Sequence, residues 1–151
     1  MQKVVWYFVR QSPPVFVYGT LLQGFPNHAL YVKPYAHQAL PAKIRGKIYH
    51  LPQRYPGLLD GAEEVVGALL FFAPEVYKDA LAGMDELETY YGPNDPRNEY
   101  DRVKVTAVLA QTGEEMIAYV YRYLDEAYAR RAGIRVNDGD WRRYAQGRRL
   151  E

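Results

Sequence analysis

The sequence predicts an α+β fold in which about six strands close, or nearly close, into a small barrel. Six segments rich in β-favouring residues are separated by turn signals, and one further segment has the period of an amphipathic helix. Gly67 lies inside a candidate strand and suggests a bulge or a sharp bend of the kind that barrels use. A chain of mostly strands with one strong helix favours a barrel with helices outside it.

The candidate strands follow one another along the chain, and turns containing proline or glycine separate most of them. The last two strands are predicted to form a hairpin around residues 111–114. In chain order the six are Val4–Val9, Val15–Tyr18, Gly46–Leu51, Val65–Phe72, Tyr100–Leu109 and Met116–Tyr123.

The clearest helix is predicted to begin at Pro74, since proline is tolerated in a first helical turn, and Glu75 favours the helix dipole there. It is predicted to run to about Tyr91 and to end at the Gly-Pro pair at 92–93. A second, shorter helix is predicted to begin near residues 138–140, carrying an aromatic face.

Composition fits one domain spanning residues 1–151 and excludes several function classes. A formal net charge of +1 argues against binding nucleic acid through clustered positive charge. The absence of cysteine excludes disulfides and a cysteine nucleophile, and it suits a reducing compartment. The apolar run at Val4–Val9 is too short to span a bilayer and lacks a signal-peptide cleavage site. We therefore expect a cytoplasmic protein that binds neither nucleic acid nor a membrane.

The segment from Val15 to Leu21 is predicted to be a short buried strand that Gly19 ends abruptly, because glycine adopts backbone angles that other residues avoid. Successive backbone N–H groups of Tyr18, Gly19, Thr20 and Leu21 would then line a small concavity able to hold an anion. An ordinary turn after a strand explains the same pattern.

Glu88 interrupts the apolar face of the predicted helix. On a helical wheel its side chain projects between Tyr77 and Leu81, whereas Asp85 and Glu86 fall on the polar side and are expected to be solvated. A buried carboxyl group has a raised pKa and makes a candidate general acid and base. Two structural alternatives remain: Glu88 reaches out from the edge of the face, or it pairs with an arginine such as Arg102.

These motifs together resemble the gamma-glutamylcyclotransferase-like family. Members typically show a Phe-Val-Tyr-Gly-Thr-Leu start, a Leu-Asp-x-x-Glu segment and a Tyr-x-Arg strand. The matching segments here are Phe16–Leu21, Met84–Glu88 and Tyr100–Arg102, with further similarity at Tyr55–Leu58 and Val66–Leu70. The segment Gly24–His28 is most similar to the gamma-glutamylamine cyclotransferase branch. Residues 1–12 precede the point at which many members begin and are counted as an N-terminal extension.

The resemblance implies a small mixed β-barrel of about six strands with flanking helices, and a reaction that needs no cofactor or metal. A gamma-glutamyl amine or amide would cyclise to 5-oxoproline and release the amine. Glu88 is the expected general acid and base, and residues 18–21 are expected to bind the substrate. Tyr100 and Tyr121 are candidates for lining the pocket, although ordinary core packing is the stronger explanation for each.

Two other functions remain open at this point. A non-catalytic module on the same fold would bind a carboxylated metabolite in this cavity, but it would gain nothing from a buried acid. An interaction protein would instead use the arginine-rich C-terminus, which otherwise acts as a solubilising tail. The three histidines (His28, His37 and His50) lack metal-ligand spacing and are expected at the surface or in loops. The oligomeric state is not predicted.

Overall fold

The computed structural model describes residues 12–150, with side chains through residue 147. Within this range the chain forms six strands and four helices. The strands are β1 (Val15–Val17), β2 (His37–His50), β3 (Pro56–Phe72), β4 (Tyr100–Leu109), β5 (Glu115–Tyr123) and β6 (Ile134–Arg135), and the helices are α1 (Pro26–Tyr31), α2 (Pro74–Leu87), α3 (Glu126–Ala132) and α4 (Trp141–Leu150). The predicted strand Val4–Val9 lies outside the described residues.

Five of the strands close into a barrel, which confirms the predicted fold class. Their order is β3-β1-β5-β4-β2, and β2 pairs back onto β3 to complete the ring. The β1–β5 pair is parallel and the other pairs of the barrel are antiparallel, so the barrel is mixed. The short strand β6 adds to β2 outside the ring.

Strands β2 and β3 form a hairpin much longer than the sequence indicated. The predicted strands Gly46–Leu51 and Val65–Phe72 cover only parts of it. Pairing runs from His37 opposite Phe72 to His50 opposite Pro56, with a register shift between Gly46 and Lys47. Residues 60–62 bulge at this shift, so a segment that looked like a turn is continuous strand. Of the two features suggested for Gly67, a bulge or a sharp bend, the bulge is therefore wrong.

Gly67 serves instead as the point where β1 crosses closest to β3. A Cβ atom at this position would collide with the carbonyl oxygen of Val17 and would lie 2.7 Å from the ring of Phe16. The pairing of Val17 with Ala68 holds the two strands at this separation. The glycine is needed because it has no side chain to keep β1 away.

Buried apolar side chains fill two regions. One lies inside the barrel and includes Phe16, Leu69 and Val120, and α4 closes it with Trp141. The other lies between the barrel and α2, where Ala80 and Met84 face β1 and β3 residues such as Phe72. The barrel thus has one hydrophobic core inside it and a second between its outer surface and the flanking helices.

Helix α2 begins at Pro74 as predicted but ends at Leu87, four residues earlier than expected. Thr89 adopts a left-handed conformation with φ 55° and ends the helix in a Schellman arrangement. Its N–H group donates to the Glu86 carbonyl at 3.1 Å, and that of Tyr90 donates to the Asp85 carbonyl at 2.9 Å. Tyr91 is consequently exposed and does not continue the apolar face.

Helix α4 follows residues 138–140 as predicted, and the hairpin of β4 and β5 also forms as predicted. The two short helices α1 and α3 were not predicted, since neither is long enough to show an apolar period. Of the helices within residues 12–150, none combines the length and the apolar character that crossing a membrane requires.

The Gly67–Val17 contact predicts a large loss of stability for Gly67→Ala, about 2–4 kcal/mol in the free energy of unfolding, because the added methyl group meets rigid backbone. Gly147→Ala is the matched control. Gly147 lies in α4, and a methyl group added there would have no neighbouring atom within 4 Å, so alanine should be neutral or stabilise by up to about 1 kcal/mol. Urea unfolding measures both, and equal effects would contradict this account of Gly67.

Candidate active site

A cavity of about 110 Å³ lies where the turn after β1 meets the C-terminal end of α2. All seven residues singled out from the sequence line it: Tyr18, Gly19, Thr20, Leu21, Glu88, Tyr100 and Tyr121. The structure therefore brings together two segments that are about seventy residues apart in the chain. The roles assigned to these residues remain predictions.

The turn from Tyr18 to Leu22 offers a set of free backbone donors. Leu22 N–H donates to the Gly19 carbonyl at 3.0 Å, whereas the N–H groups of Gly19, Thr20 and Leu21 donate to no other residue of the described range. Helix α1 supports the turn, because the Asn27 side chain donates to Thr20 Oγ1 at 2.9 Å. Consecutive unsatisfied N–H groups at a cavity form a site for an anion or a developing oxyanion.

The predicted reason for Gly19 is wrong. Its φ angle is not positive, so a left-handed conformation is not what requires glycine here. A Cβ atom at this position would instead collide with the ring of Pro56, at the start of β3. Glycine thus allows the turn to lie against the wall of the barrel.

Glu88 occupies the C-cap of α2, and its N–H group donates to the Met84 carbonyl at 3.0 Å. Its carboxyl group accepts no hydrogen bond and forms no ion pair with any residue of the described range. The alternative in which Arg102 pairs with Glu88 is wrong, because Arg102 Nε lies 3.1 Å from Asp85 Oδ1. The cavity therefore contains a partly buried acid whose oxygen atoms are available to a ligand.

Burial raises the pKa of Glu88 to about 8, and the negative charge of Glu99 adds to the shift. The C-terminal end of a helix carries a partial negative charge, which disfavours a carboxylate in the same direction. Glu88 consequently holds a proton near neutral pH in the free protein, with a pKa suited to a general acid and base.

Glu99 is a second acid in the cavity and was not found from the sequence. Its N–H group donates to the Thr89 carbonyl at 2.9 Å, which places it beside the segment that carries Glu88. The Tyr55 hydroxyl donates a short hydrogen bond to Glu99 Oε2. No local pattern pointed to Glu99, because its position depends on pairing between the segment before β4 and the end of α2.

Asp85 is not the solvated residue that the helical wheel indicated. The Tyr121 hydroxyl donates to Asp85 Oδ1 at 2.6 Å, and Arg102 forms its ion pair with the same carboxylate. Burial raises the pKa of Asp85, while the hydrogen bond from Tyr121 and the charge of Arg102 oppose that shift. The wheel failed here because β5 contacts the side of α2 that seemed polar.

The tyrosine hydroxyl groups of the cavity point into the protein. Tyr18 donates to the Tyr121 carbonyl at 2.6 Å, and Tyr100 donates to the Pro56 carbonyl at 2.7 Å. Burial raises the pKa of each of these tyrosines well above its ordinary value, so none can serve as a base near neutral pH. Among the lining residues that the structure describes, Glu88 and Glu99 are therefore the candidates for proton transfer.

Within residues 12–150, no group of three or more His, Cys, Asp or Glu side chains is placed to hold a metal ion. All three histidines are partly exposed, but none lies in a loop, because His28 belongs to α1 and His37 and His50 belong to β2. The expected loop positions are therefore wrong. His37 Nδ1 lies 2.8 Å from the Tyr35 carbonyl, and His28 Nδ1 lies 2.9 Å from the Leu21 carbonyl. Both rings thus support loops.

The sequence matches a family model over residues 15–143; that family is described as "Gamma-glutamyl cyclotransferase, AIG2-like". A relative from Niallia circulans is named gamma-L-glutamyl-butirosin B gamma-glutamyl cyclotransferase. It is 33% identical over 132 residues, which make up 87% of this chain and 77% of the relative. The residues matched by the family model include the turn after β1, the end of α2 and the start of β4.

Solved structures show the same fold. An uncharacterised protein from Pyrococcus horikoshii superposes with a TM-score of 0.62 at 18% identity, covering 93% of this chain and 98% of that chain. An AIG2-like protein from Mus musculus superposes with a TM-score of 0.54 at 19% identity, covering 76% of this chain and 80% of that one. These likenesses establish the arrangement of the barrel and helices.

The raised pKa of Glu88 predicts how stability depends on pH. The folded state binds this proton more tightly than the unfolded state, so stability should fall between about pH 4.5 and pH 8 as the proton is lost. Glu88→Gln should remove this loss. The free energy of unfolding of the variant, relative to that of the parent protein, should therefore rise by at least about 2 kcal/mol from pH 5 to pH 8.5. Chemical unfolding at both pH values measures the gain. The exposed Glu86→Gln variant is the control, and an equal gain there would refute the assignment.

Glu99→Gln should lower the pKa of Glu88 below 8, because it removes the neighbouring charge while glutamine can still accept the Tyr55 hydrogen bond. Carboxyl ¹³C chemical shifts followed through a pH titration report the pKa directly. Glu86→Gln, which removes a charge farther from the cavity, should leave it unchanged. An unchanged pKa in Glu99→Gln would show that the two acids do not interact.

Proposed function

Because the chain belongs to the AIG2-like gamma-glutamyl cyclotransferase family, we propose that it converts a gamma-glutamyl amine or amide to 5-oxoproline and a free amine without a cofactor. The observation that carries the proposal is the unpaired Glu88 carboxyl group, which shares a cavity with the free N–H groups of residues 19–21. Family membership supports the cyclotransferase activity, and the assignment of Glu88 and of the substrate is our own.

The reaction needs no nucleophile from the protein. The α-amino nitrogen of the glutamyl group attacks its own γ-carbonyl carbon and forms the ring C–N bond. The bond from that carbon to the leaving nitrogen then breaks, and the leaving amine takes up a proton. The protein must bend the substrate into a near-attack geometry and carry two protons from the attacking ammonium nitrogen to the leaving nitrogen.

Glu88 suits this transfer because it can take the proton and return it. The α-ammonium group of an arriving substrate brings a positive charge to the cavity, which favours the carboxylate form of Glu88. Glu88 accepts a proton from the ammonium, freeing the amine to attack, and donates it to the leaving nitrogen as the bond to the γ-carbon breaks. The ring nitrogen then loses its second proton through Glu88 to the released amine, which departs in its ammonium form and leaves Glu88 as it began. A pKa of about 8 keeps the donor and acceptor forms close in free energy at neutral pH.

The turn after β1 complements the negative charges of the substrate. The N–H groups of Gly19, Thr20 and Leu21 are placed to bind the α-carboxylate or to stabilise the oxyanion that develops on the γ-carbonyl oxygen. Tyr100 and Tyr121 line the cavity with hydroxyl groups that are already bonded to other residues, so we assign them apolar contact with the substrate. A module that only binds carboxylates gains nothing from a titrating acid in this cavity, which is why we propose an enzyme. A cytoplasmic location, expected from the lack of cysteine, is part of the proposal.

Glu88→Gln should lower turnover by about 10²- to 10⁴-fold, since glutamine cannot relay a proton. The measurement is 5-oxoproline release from a panel containing glutathione, gamma-glutamyl amino acids and gamma-glutamyl-lysine. Glu86→Gln, on the exposed side of α2, should retain the parent rate. In the parent protein kcat/KM should rise with pH up to about pH 8, as Glu88 in the free protein loses its proton.

Two results would overturn these assignments. A parent protein that releases 5-oxoproline from no compound in the panel would refute the proposed reaction. A Glu88→Gln variant that retains parental activity, or the same rise of kcat/KM with pH, would remove Glu88 from proton transfer even if the reaction occurs.

A further inference from the structure

We propose that a groove beside the cavity binds the leaving amine and that it favours gamma-glutamyl derivatives of aromatic amino acids. This inference rests on the proposed function and adds the substrate class to it. We call this groove the aromatic groove; its principal residues are Phe25, His50, Arg54, Ile134, Trp141 and Ala145.

The aromatic groove adjoins the cavity directly. Thr20 lines both, and two consecutive residues of the loop between β2 and β3 divide between them, with Arg54 in the groove and Tyr55 in the cavity. A substrate whose γ-carbonyl lies near the turn and Glu88 can therefore extend its amide substituent past Thr20 into the groove.

The sizes of the two spaces support this division. The cavity measures about 110 Å³ and the aromatic groove about 720 Å³ by the same measure. Ligand sites of small-molecule enzymes typically enclose several hundred Å³. The cavity thus accommodates the compact glutamyl end of the substrate, and the groove has the room for a large leaving group.

Aromatic rings form much of the groove, and the indole N–H of Trp141 is already bonded. The Phe25 and Trp141 rings lie 5.3 Å apart, centre to centre. Trp141 Nε1 donates to His50 Nδ1 at 3.0 Å, which requires that Nδ1 carry no proton. These rings therefore present apolar surface, and an aromatic side chain packs well on such a surface.

The charge of the groove favours a leaving group that carries a carboxylate. No acidic side chain occurs among the described residues that line it, whereas Arg54 is exposed at its edge. The Arg54 guanidinium group makes no hydrogen bond or ion pair with another described residue, so it is available to a carboxylate. A second arginine, Arg142, lies over the Phe25 ring at 5.6 Å. A cationic amine would meet repulsion here.

The backbone at Arg54 adopts a strained conformation at the edge of the groove. Arg54 has φ 77°, a left-handed conformation that disfavours residues other than glycine. Its N–H group donates to the Leu51 carbonyl at 2.9 Å, and Leu51 N–H donates to the Tyr55 carbonyl at 3.0 Å. Strained non-glycine residues cluster at ligand sites, which agrees with a binding role for this loop.

Three substrates separate the contributions of ring and charge. Gamma-glutamyl-phenylalanine has both, gamma-glutamyl-phenethylamide lacks the carboxylate, and gamma-glutamyl-alanine lacks the ring. We expect kcat/KM for gamma-glutamyl-phenylalanine to exceed that for gamma-glutamyl-alanine about tenfold, and to exceed that for gamma-glutamyl-lysine by more. Arg54→Gln should raise KM for gamma-glutamyl-phenylalanine about three- to tenfold with little change in kcat, and leave the phenethylamide unaffected. Arg45→Gln, an exposed arginine on β2, is the matched control and should change none of these values.

The Glu88→Gln variant allows the groove to be tested separately from the reaction. Binding of the gamma-glutamyl compounds to this variant is measured by tryptophan fluorescence. Gamma-glutamyl-phenylalanine should bind more tightly than gamma-glutamyl-alanine, and adding Arg54→Gln should weaken it. If that pattern appears while the parent protein turns over no gamma-glutamyl compound, the proposed function fails and the groove stands. If the parent turns over the three substrates equally and Arg54→Gln changes no KM, the reaction stands and the aromatic groove is refuted.

Discussion

The close approach of Val17 to Gly67 is the constraint on which the rest of the site depends. Strand β1 has three residues, yet it bonds to β3 on one side and to β5 on the other, and so it closes the barrel. The turn that carries the free N–H groups begins where β1 ends. If β1 moved outward, this turn would separate from Tyr121 on β5 and from the end of α2. Barrel closure and site assembly are therefore one structural event.

Glu88 is kept without a partner by the arrangement of its neighbours. The nearby cation, Arg102, pairs with Asp85, and Asp85 also accepts the Tyr121 hydrogen bond. The end of α2 at Thr89 then turns Glu88 into the cavity beside Glu99. Each of these features raises the free energy of the Glu88 carboxylate, and the hydrophobic interior on both sides of the barrel offsets that cost. The site exchanges some stability for a carboxyl group that titrates near neutral pH.

The sequence predicted those features whose signal is local. Strand Tyr100–Leu109 and the start of α2 show clear patterns, and Glu88 stood out because it broke one. The full length of the β2–β3 hairpin was missed because the bulge at residues 60–62 resembles a turn. The end of α2, the ion pair of Asp85 and the position of Glu99 were missed because each depends on contacts between segments distant in the chain. The N-terminal candidate strand lies outside the described residues.

The cavity and the aromatic groove differ in what fixes them. The cavity is built from the ends of barrel strands and of α2, whose positions follow from the closed ring of hydrogen bonds. The groove is built mostly outside that ring, from the loop before β3, the residues around β6 and the first turns of α4, with His50 at the end of β2. Under the proposed function, substitutions in the groove would change the leaving group that is preferred without moving Glu88 or the turn. Proton transfer would then be tied to barrel closure, whereas selectivity for the amine would be free to vary.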